Sequence, residues 1–111
     1  MNNLHEKNCE SCNTQTPKLL ISEINENMEK LDSWTLNENQ EMIFKKFKFN
    51  NFKKAISLAN KIGDIAESEG HHPDISIGYG YCLVMVHTHA IKGLSINDFI
   101  LAAKIDALNE I

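Results

Sequence analysis

Residues 81–89 limit the possible folds most, because they have the pattern of a strand with apolar side chains on both faces. One face would carry Cys82, Val84 and Val86, and the opposite face would carry Tyr81, Leu83 and Met85. A strand of this kind lies in a sheet that is covered on both sides. We therefore expect helices against one face and a partner subunit as the simplest cover for the other.

Hydrophobic periodicity and turn residues predict the order helix, two strands, helix, two strands, helix. The helices are expected at about residues 22–32, 50–70 and 95–108, and the strands at about 34–36, 41–49, 75–79 and 81–89. The expected caps are Ser22, Asn50 or Asn51, and Ser95, and Gly70 ends the second helix. This order predicts an α+β domain, a four-stranded antiparallel sheet with helices packed on one face.

Residues 1–20 are rich in polar side chains, so we expect a loosely ordered N-terminal extension, followed by a single domain over residues 21–111. The extension contains a CxxC pair, Cys9 and Cys12. Three interpretations stay open: half of a zinc site with His5 as a third ligand, a redox pair, or two exposed thiols on a mobile tail. Cys82, within an apolar strand, is expected to be an inert core thiol.

The length and charge of the chain argue against several classes of function. With 111 residues it should form one domain, and a sizeable ligand site should be a surface cleft or lie between subunits. A net charge of −4 without a basic run argues against direct nucleic-acid binding. The chain has neither a membrane-length apolar stretch nor the apolar block of a signal peptide, so we expect no membrane partner and a cytoplasmic location.

Three of the five histidines are grouped: His71 and His72 follow the second helix, and His89 stands at the far end of the last predicted strand. Gly70 ends that helix and Pro73 biases His72 towards an extended conformation, so the first two lie at a helix-to-strand corner. Histidine titrates nearer to neutrality than other side chains, and this grouping indicates proton transfer or metal binding. A corner of this kind suits a general acid.

The same residues also have interpretations that involve no chemistry. Histidines after a helix-ending glycine can be exposed loop residues, and His87 is expected to be exposed or at an interface. Asp98 is at the third position of the last helix, in a Ser95-Ile-Asn-Asp98 capping box, where an acidic residue usually caps the helix. Glu67 is by default a solvated helix residue.

A longer pattern connects these residues: Ala66-Glu67-x-x-x-His71-His72-Pro73, then Tyr79, Thr88-His89, Lys92-Gly93-Leu94-Ser95 and Asp98. This pattern resembles that of the pterin-4a-carbinolamine dehydratases of bacterial type, a family also known as dimerisation cofactors of a homeodomain transcription factor. The resemblance extends from Trp34 to near Leu108, and the histidine spacing matches in full. The CxxC region resembles an extension of some bacterial members that accompany phenylalanine hydroxylase.

The resemblance implies an enzyme, a hydro-lyase that removes water from the pterin 4a-hydroxytetrahydropterin and gives quinonoid dihydropterin. It implies His71, His72 and His89 as catalytic residues, and Glu67, Pro73 and Asp98 as residues that bind or orient the substrate. It also implies a homodimer or homotetramer, and functional coupling to phenylalanine hydroxylase in tetrahydropterin recycling. One position departs from the animal members, which carry Trp where Ile75 stands, and this puts a ring-stacking role there in doubt.

Two other classes of function are weighed beside the enzyme. A non-enzymatic dimerisation or regulatory protein is the second class, although a pure binding module would not need three histidines in register. A metal-binding protein is the third; because neighbouring strand residues point to opposite faces, at most one of His71 and His72 would readily join His89 on one ion. Dehydration needs only an acid and a base, so we expect no cofactor and no metal.

Overall fold

The computed structural model describes residues 4–10 and 13–108, and it confirms the predicted α+β architecture. Helix α1 spans Ile21–Met28, α2 spans Phe52–Glu69 and α3 spans Ile96–Asp106. The strands are β1 (Thr35–Leu36), β2 (Ile43–Lys48), β3 (Asp74–Gly78) and β4 (Tyr81–Val86). They form one antiparallel sheet in the order β1-β2-β4-β3, so the strand with the double apolar pattern lies in the interior of the sheet.

The side chains of β4 alternate as predicted. Cys82, Val84 and Val86 are fully buried on the face that carries α2 and α3. On the opposite face the side chains are only partly covered, and they are Tyr81, Leu83 and Met85. A single chain therefore leaves apolar side chains on that face partly exposed to solvent, and the expected partner subunit stays a prediction.

Local sequence defines both ends of α2. The Asn51 side chain accepts a hydrogen bond from the Lys54 N–H at 2.8 Å, and Gly70 ends the helix with a φ of 67°. One face of the helix is buried against the sheet through Ala55, Leu58, Ile62 and Ala66. This packing fixes the position of the chain immediately after the helix, where His71 leads into β3.

The predicted bounds of two elements are wrong at the ends. Helix α1 begins at Ile21 and not after a Ser22 cap, because Glu23 Oε1 accepts a hydrogen bond from the Leu20 N–H at 2.8 Å; it also ends at Met28. Strand β4 ends at Val86, because the backbone of Thr88 pairs with that of Gly93 and turns the chain into a short 3-10 helix, His89–Ile91. His89 therefore lies in a turn beyond the strand.

Residues 4–10 pack along α3. Leu4 is buried, the Cys9 N–H donates to Glu69 Oε1 at 2.7 Å, and Cys9 Sγ lies 3.6 Å from the carbonyl oxygen of Asn97. These contacts cover part of a helix that is apolar on most of its circumference. Cys12, the second cysteine of the predicted pair, lies outside the described residues, and the domain division at residue 20 stays a prediction.

Candidate active site

A shallow cleft of about 230 Å³ lies where the end of α2 meets the end of β4. Its wall is formed by Gly70, His71, His72, His87, Thr88, His89 and Ala90. The fold thus brings the three histidines expected from the sequence to one cleft. It adds His87, which we had expected only to be exposed or at an interface.

The base of this cleft contains a buried pair, His71 and Asp98. His71 is 6% exposed and Asp98 is 0% exposed, and His71 Nε2 lies 2.6 Å from Asp98 Oδ1. The other carboxylate oxygen, Oδ2, accepts hydrogen bonds from the Thr88 hydroxyl at 2.7 Å and the Ser95 N–H at 2.9 Å. An ionised carboxylate can only accept hydrogen bonds, and with Asp98 in that form the Nε2 atom of His71 would carry the hydrogen.

Asp98 reaches this position because it is the third residue of α3. Its bond to the Ser95 N–H is the capping interaction that the sequence predicted. Each oxygen has its own partners, so capping the helix leaves Oδ1 available to His71. The two interpretations of Asp98, as a cap and as a site residue, are therefore compatible in one carboxylate.

Two hydroxyls below Asp98 were not identified as site residues from the sequence. Thr88 Oγ1 donates its one hydrogen to Asp98, and it lies 2.9 Å from Ser95 Oγ, so the Ser95 hydroxyl donates to Thr88. Both side chains are buried. The sequence did contain a signal for both. Thr88 directly precedes His89, and Ser95 is three residues before Asp98.

The outer rim of the cleft carries His72 and Glu67. His72 Nε2 and Glu67 Oε2 are 2.5 Å apart, although the two side chains are 60% and 79% exposed. Glu67 is in the last turn of α2, one turn before the corner, which places its carboxylate beside His72. Pro73 is half-buried and lies next to the cleft, outside its wall.

His89 and His87 form the opposite side. His89 is exposed in the turn after β4, and its ring centroid lies 4.0 Å from that of His87, with 62° between the ring planes. His87 Nε2 also lies 3.2 Å from Asp74 Oδ2. Neither His87 nor Asp74 was predicted as a site residue, because their proximity depends on the register of β3 against β4.

Cys9, in the N-terminal segment, is a partly buried thiol apart from the histidine cleft. Burial, followed by the nearby Glu69 carboxylate, raises the pKa of the Cys9 thiol to about 12. Its thiol is therefore protonated near neutral pH, and it would have to lose that proton to act as a metal ligand or as a nucleophile. A cleft of about 830 Å³ between residues 6–10 and 13–19 on one side and the start of α3 on the other is larger than the histidine cleft, but it has no histidine among its described lining residues.

The family model described as "Pterin 4 alpha carbinolamine dehydratase" matches residues 17–108 of the chain. The chain belongs to this family. The expectations that it is a pterin-4a-carbinolamine dehydratase relative and an enzyme of the hydro-lyase class are thereby confirmed.

Within the part of the chain that the structure describes, no helix is long and apolar enough to cross a membrane.

Several relatives of the chain carry the name of this dehydratase family. The one from Rickettsia canadensis (strain McKiel) is 48% identical over 105 residues, which is 94% of this chain and 95% of the relative. The one from Halorhodospira halophila is 43% identical over 105 residues, 95% of this chain and 96% of the relative. A crystal structure from Brucella melitensis, of a transcriptional coactivator/pterin dehydratase, superposes with a TM-score of 0.78 at 32% identity, covering 82% of this chain and 97% of that one.

Proposed function

We propose that the chain converts 4a-hydroxytetrahydropterin to quinonoid dihydropterin and water by histidine acid/base catalysis. Through this reaction it supports tetrahydropterin recycling for an aromatic amino acid hydroxylase. The observation that carries the proposal is the buried His71–Asp98 pair, at a cleft that His72 and His89 also line. Family membership supports the choice of a pterin substrate.

The reaction requires two proton transfers. The 4a-hydroxyl is a poor leaving group as hydroxide, so an acid protonates it and the C4a–O bond breaks with release of water. A base removes the proton from the neighbouring ring nitrogen, and the electron pair of that N–H bond forms the new C=N bond. Each positioned acid or base contributes about 10²–10⁴-fold to the rate.

His71 is suited to one of these transfers. Asp98 accepts the Nε2–H of His71 and so fixes both the tautomer and the orientation of the ring. His71 lines the cleft, so in this proposal a ring held in one orientation exchanges a proton with the substrate. Burial of the pair keeps the orientation constant, because neither side chain can rotate without leaving a polar group unpaired.

His89 and His72 take complementary roles in this proposal. His89 is exposed on the opposite side of the cleft and exchanges the second proton with the substrate. His72, held by Glu67 at the rim, positions the pterin ring through its polar edge. The cleft, of about 230 Å³, is smaller than the ~300–1,000 Å³ of common ligand pockets, so we expect a partner subunit to complete the binding site.

A non-enzymatic interaction role is the second candidate. The solved Brucella melitensis relative is described as a transcriptional coactivator as well as a pterin dehydratase. A docking protein would have no use for a buried histidine held by a carboxylate at a cleft, and for this reason the enzymatic role ranks first.

Turnover of freshly generated 4a-hydroxytetrahydropterin, followed by ultraviolet absorbance, tests the proposal. We expect the protein to accelerate water loss well above the spontaneous rate. Asp98→Asn keeps the size of the side chain but removes the charge, and it should lower the rate at least about tenfold, since acid or base efficiency depends on ring orientation. Spontaneous rates in the presence of folded protein would instead favour the interaction role.

A further inference from the structure

Asp74, His87 and His89 form a second cluster at the side of the catalytic cleft. Each offers one ligand atom, a carboxylate oxygen or an imidazole nitrogen, and these atoms all lie within 4.8 Å of one another. The proposed proton transfers use neither Asp74 nor His87, although His87 lines the cleft, so they do not account for the position of these two residues beside His89.

The register of the sheet creates this cluster. Asp74 begins β3 and lies opposite Met85 of β4. His87 follows Met85 by two residues, so it is on the same side of the sheet as Met85 and therefore as Asp74. The turn after β4 then returns His89 against His87, with the ring centroids 4.0 Å apart.

The geometry fits a transition-metal ion. His87 Nε2 and Asp74 Oδ2 are 3.2 Å apart. Ligand atoms bound at about 2.0–2.1 Å around a tetrahedral ion stand about 3.3–3.4 Å apart, so this pair is already near ligand spacing. The His89 nitrogen lies within 4.8 Å of both atoms, and rotation of its exposed side chain would bring it to the ion. Two imidazoles with one carboxylate form a common three-ligand set for Zn²⁺ and similar divalent ions, with one position left for water.

Access to the cluster is open. Asp74 and His89 are exposed and the His87 side chain is 22% exposed, so an ion can enter from solvent and the side chains can rotate around it. Both histidines also line a neighbouring cleft of about 360 Å³, where Glu41 and Lys92 contribute opposite charges. The net charge of this rim therefore neither attracts nor repels a cation strongly, and the ligands themselves determine binding.

We propose that Asp74, His87 and His89 bind a divalent transition-metal ion such as Zn²⁺. The bound ion inhibits dehydration, because the metal-bound ring of His89 no longer exchanges a proton with the substrate. The inhibition rests on the proposed function, since it requires His89 to act in catalysis. Metal binding itself does not. The ion is thus an inhibitor at a shared residue, and chelator-treated protein should keep full dehydratase activity.

Binding is tested first, with Co²⁺ as a spectroscopic substitute for zinc. We expect visible ligand-field bands to appear on titration of the unmodified protein, without the near-ultraviolet thiolate charge-transfer band that Cys9 or Cys12 would produce. His87→Gln and Asp74→Asn should lose the visible bands. The matched controls His5→Gln and Asp64→Asn, which alter exposed residues elsewhere, should keep them.

Inhibition is tested second, by dehydratase assays at increasing zinc concentration. Asp74→Asn, at a residue outside the cleft wall, should keep the basal rate. Asp74→Asn and His87→Gln should both need at least about tenfold more zinc for half inhibition, each measured against its own rate without zinc, since even indirect supports of a metal ligand change affinity by about 10–100-fold. Equal zinc sensitivity in these variants and in the controls would overturn the proposal, as would a cobalt spectrum unaffected by them. Metal binding in a protein without dehydratase activity would support this site and contradict the proposed function.

Discussion

His71 Nε2 lies 2.6 Å from Asp98 Oδ1, and both side chains are buried at the base of the histidine cleft. The second oxygen of Asp98 caps α3 and accepts the Thr88 hydroxyl. The orientation of His71 is therefore coupled to the start of the last helix and to the chain after β4. A change at Thr88 should affect both the stability of the fold and the position of His71.

Thr88→Val tests this coupling. Valine keeps the shape of threonine but removes the hydroxyl that donates to Asp98. We expect the free energy of unfolding to fall by about 1.5–3 kcal/mol, the usual effect of a lost hydrogen bond to a charged group. Urea denaturation measures this, and Thr35→Val, at an exposed position in β1, is the control. Equal effects of the two substitutions would contradict the role given to Thr88.

His72→Ala tests the role of the rim. His72 is exposed and held by Glu67, so we assign it to pterin binding more than to proton transfer. Its removal should raise KM for the pterin at least as much as it lowers kcat. Steady-state kinetics separate the two effects. A large fall in kcat with an unchanged KM would instead place His72 in the proton-transfer step.

The reactivity of Cys9 tests the packing of residues 4–10. Burial and the Glu69 carboxylate raise its pKa to about 12, so only about 10⁻⁴ of the thiol is ionised near pH 8. Iodoacetamide should therefore modify Cys9 at least about tenfold more slowly in the folded protein than in urea, where the pKa is about 8.5 and the higher intrinsic reactivity of the more basic thiolate offsets only part of the difference in ionisation. Peptide mass spectrometry over time measures both rates, and equal rates would show that this segment does not pack as described.

The outer face of the sheet leads to a prediction about assembly. Leu83 and Met85 are partly exposed there, and full burial of such a side chain contributes about 1.5–3 kcal/mol. We predict a homodimer or homotetramer with this face at or near the interface, and we expect Leu83→Asp or Met85→Lys to dissociate it or impair folding. Light scattering measures the mass, with Leu20→Asp at an exposed leucine as the control. A well-folded monomer at micromolar concentration of unmodified protein would contradict this prediction.

The parts of the fold that could be predicted depend on local interactions. Asn51 and Gly70 define α2 through contacts within a few residues, and the Asp98 cap is a contact between neighbours on one turn. In contrast, the link from Cys9 to Asn97 joins residues 88 positions apart, and sequence periodicity carries no information about such a contact.

The same distinction holds for the site. The resemblance identified His71, His72 and His89 as a group. The sequence pattern, however, extended β4 as far as His89. The Thr88–Gly93 pairing that ends the strand cannot be recognised from the alternation of apolar side chains alone. The neighbourhood of Asp74 and His87 depends on strand register, which becomes known only from the paired sheet.

The most direct test of the account is the dehydration rate of His71→Ala and His89→Ala with freshly generated 4a-hydroxytetrahydropterin, beside His5→Ala as the control for an exposed histidine away from the cleft. Circular dichroism would establish that the variants are folded. The account predicts that each cleft variant loses one to several powers of ten in rate, about the effect of a missing general acid or base, while the control keeps the full rate. Unchanged rates in folded His71→Ala and His89→Ala proteins would contradict histidine catalysis at this cleft.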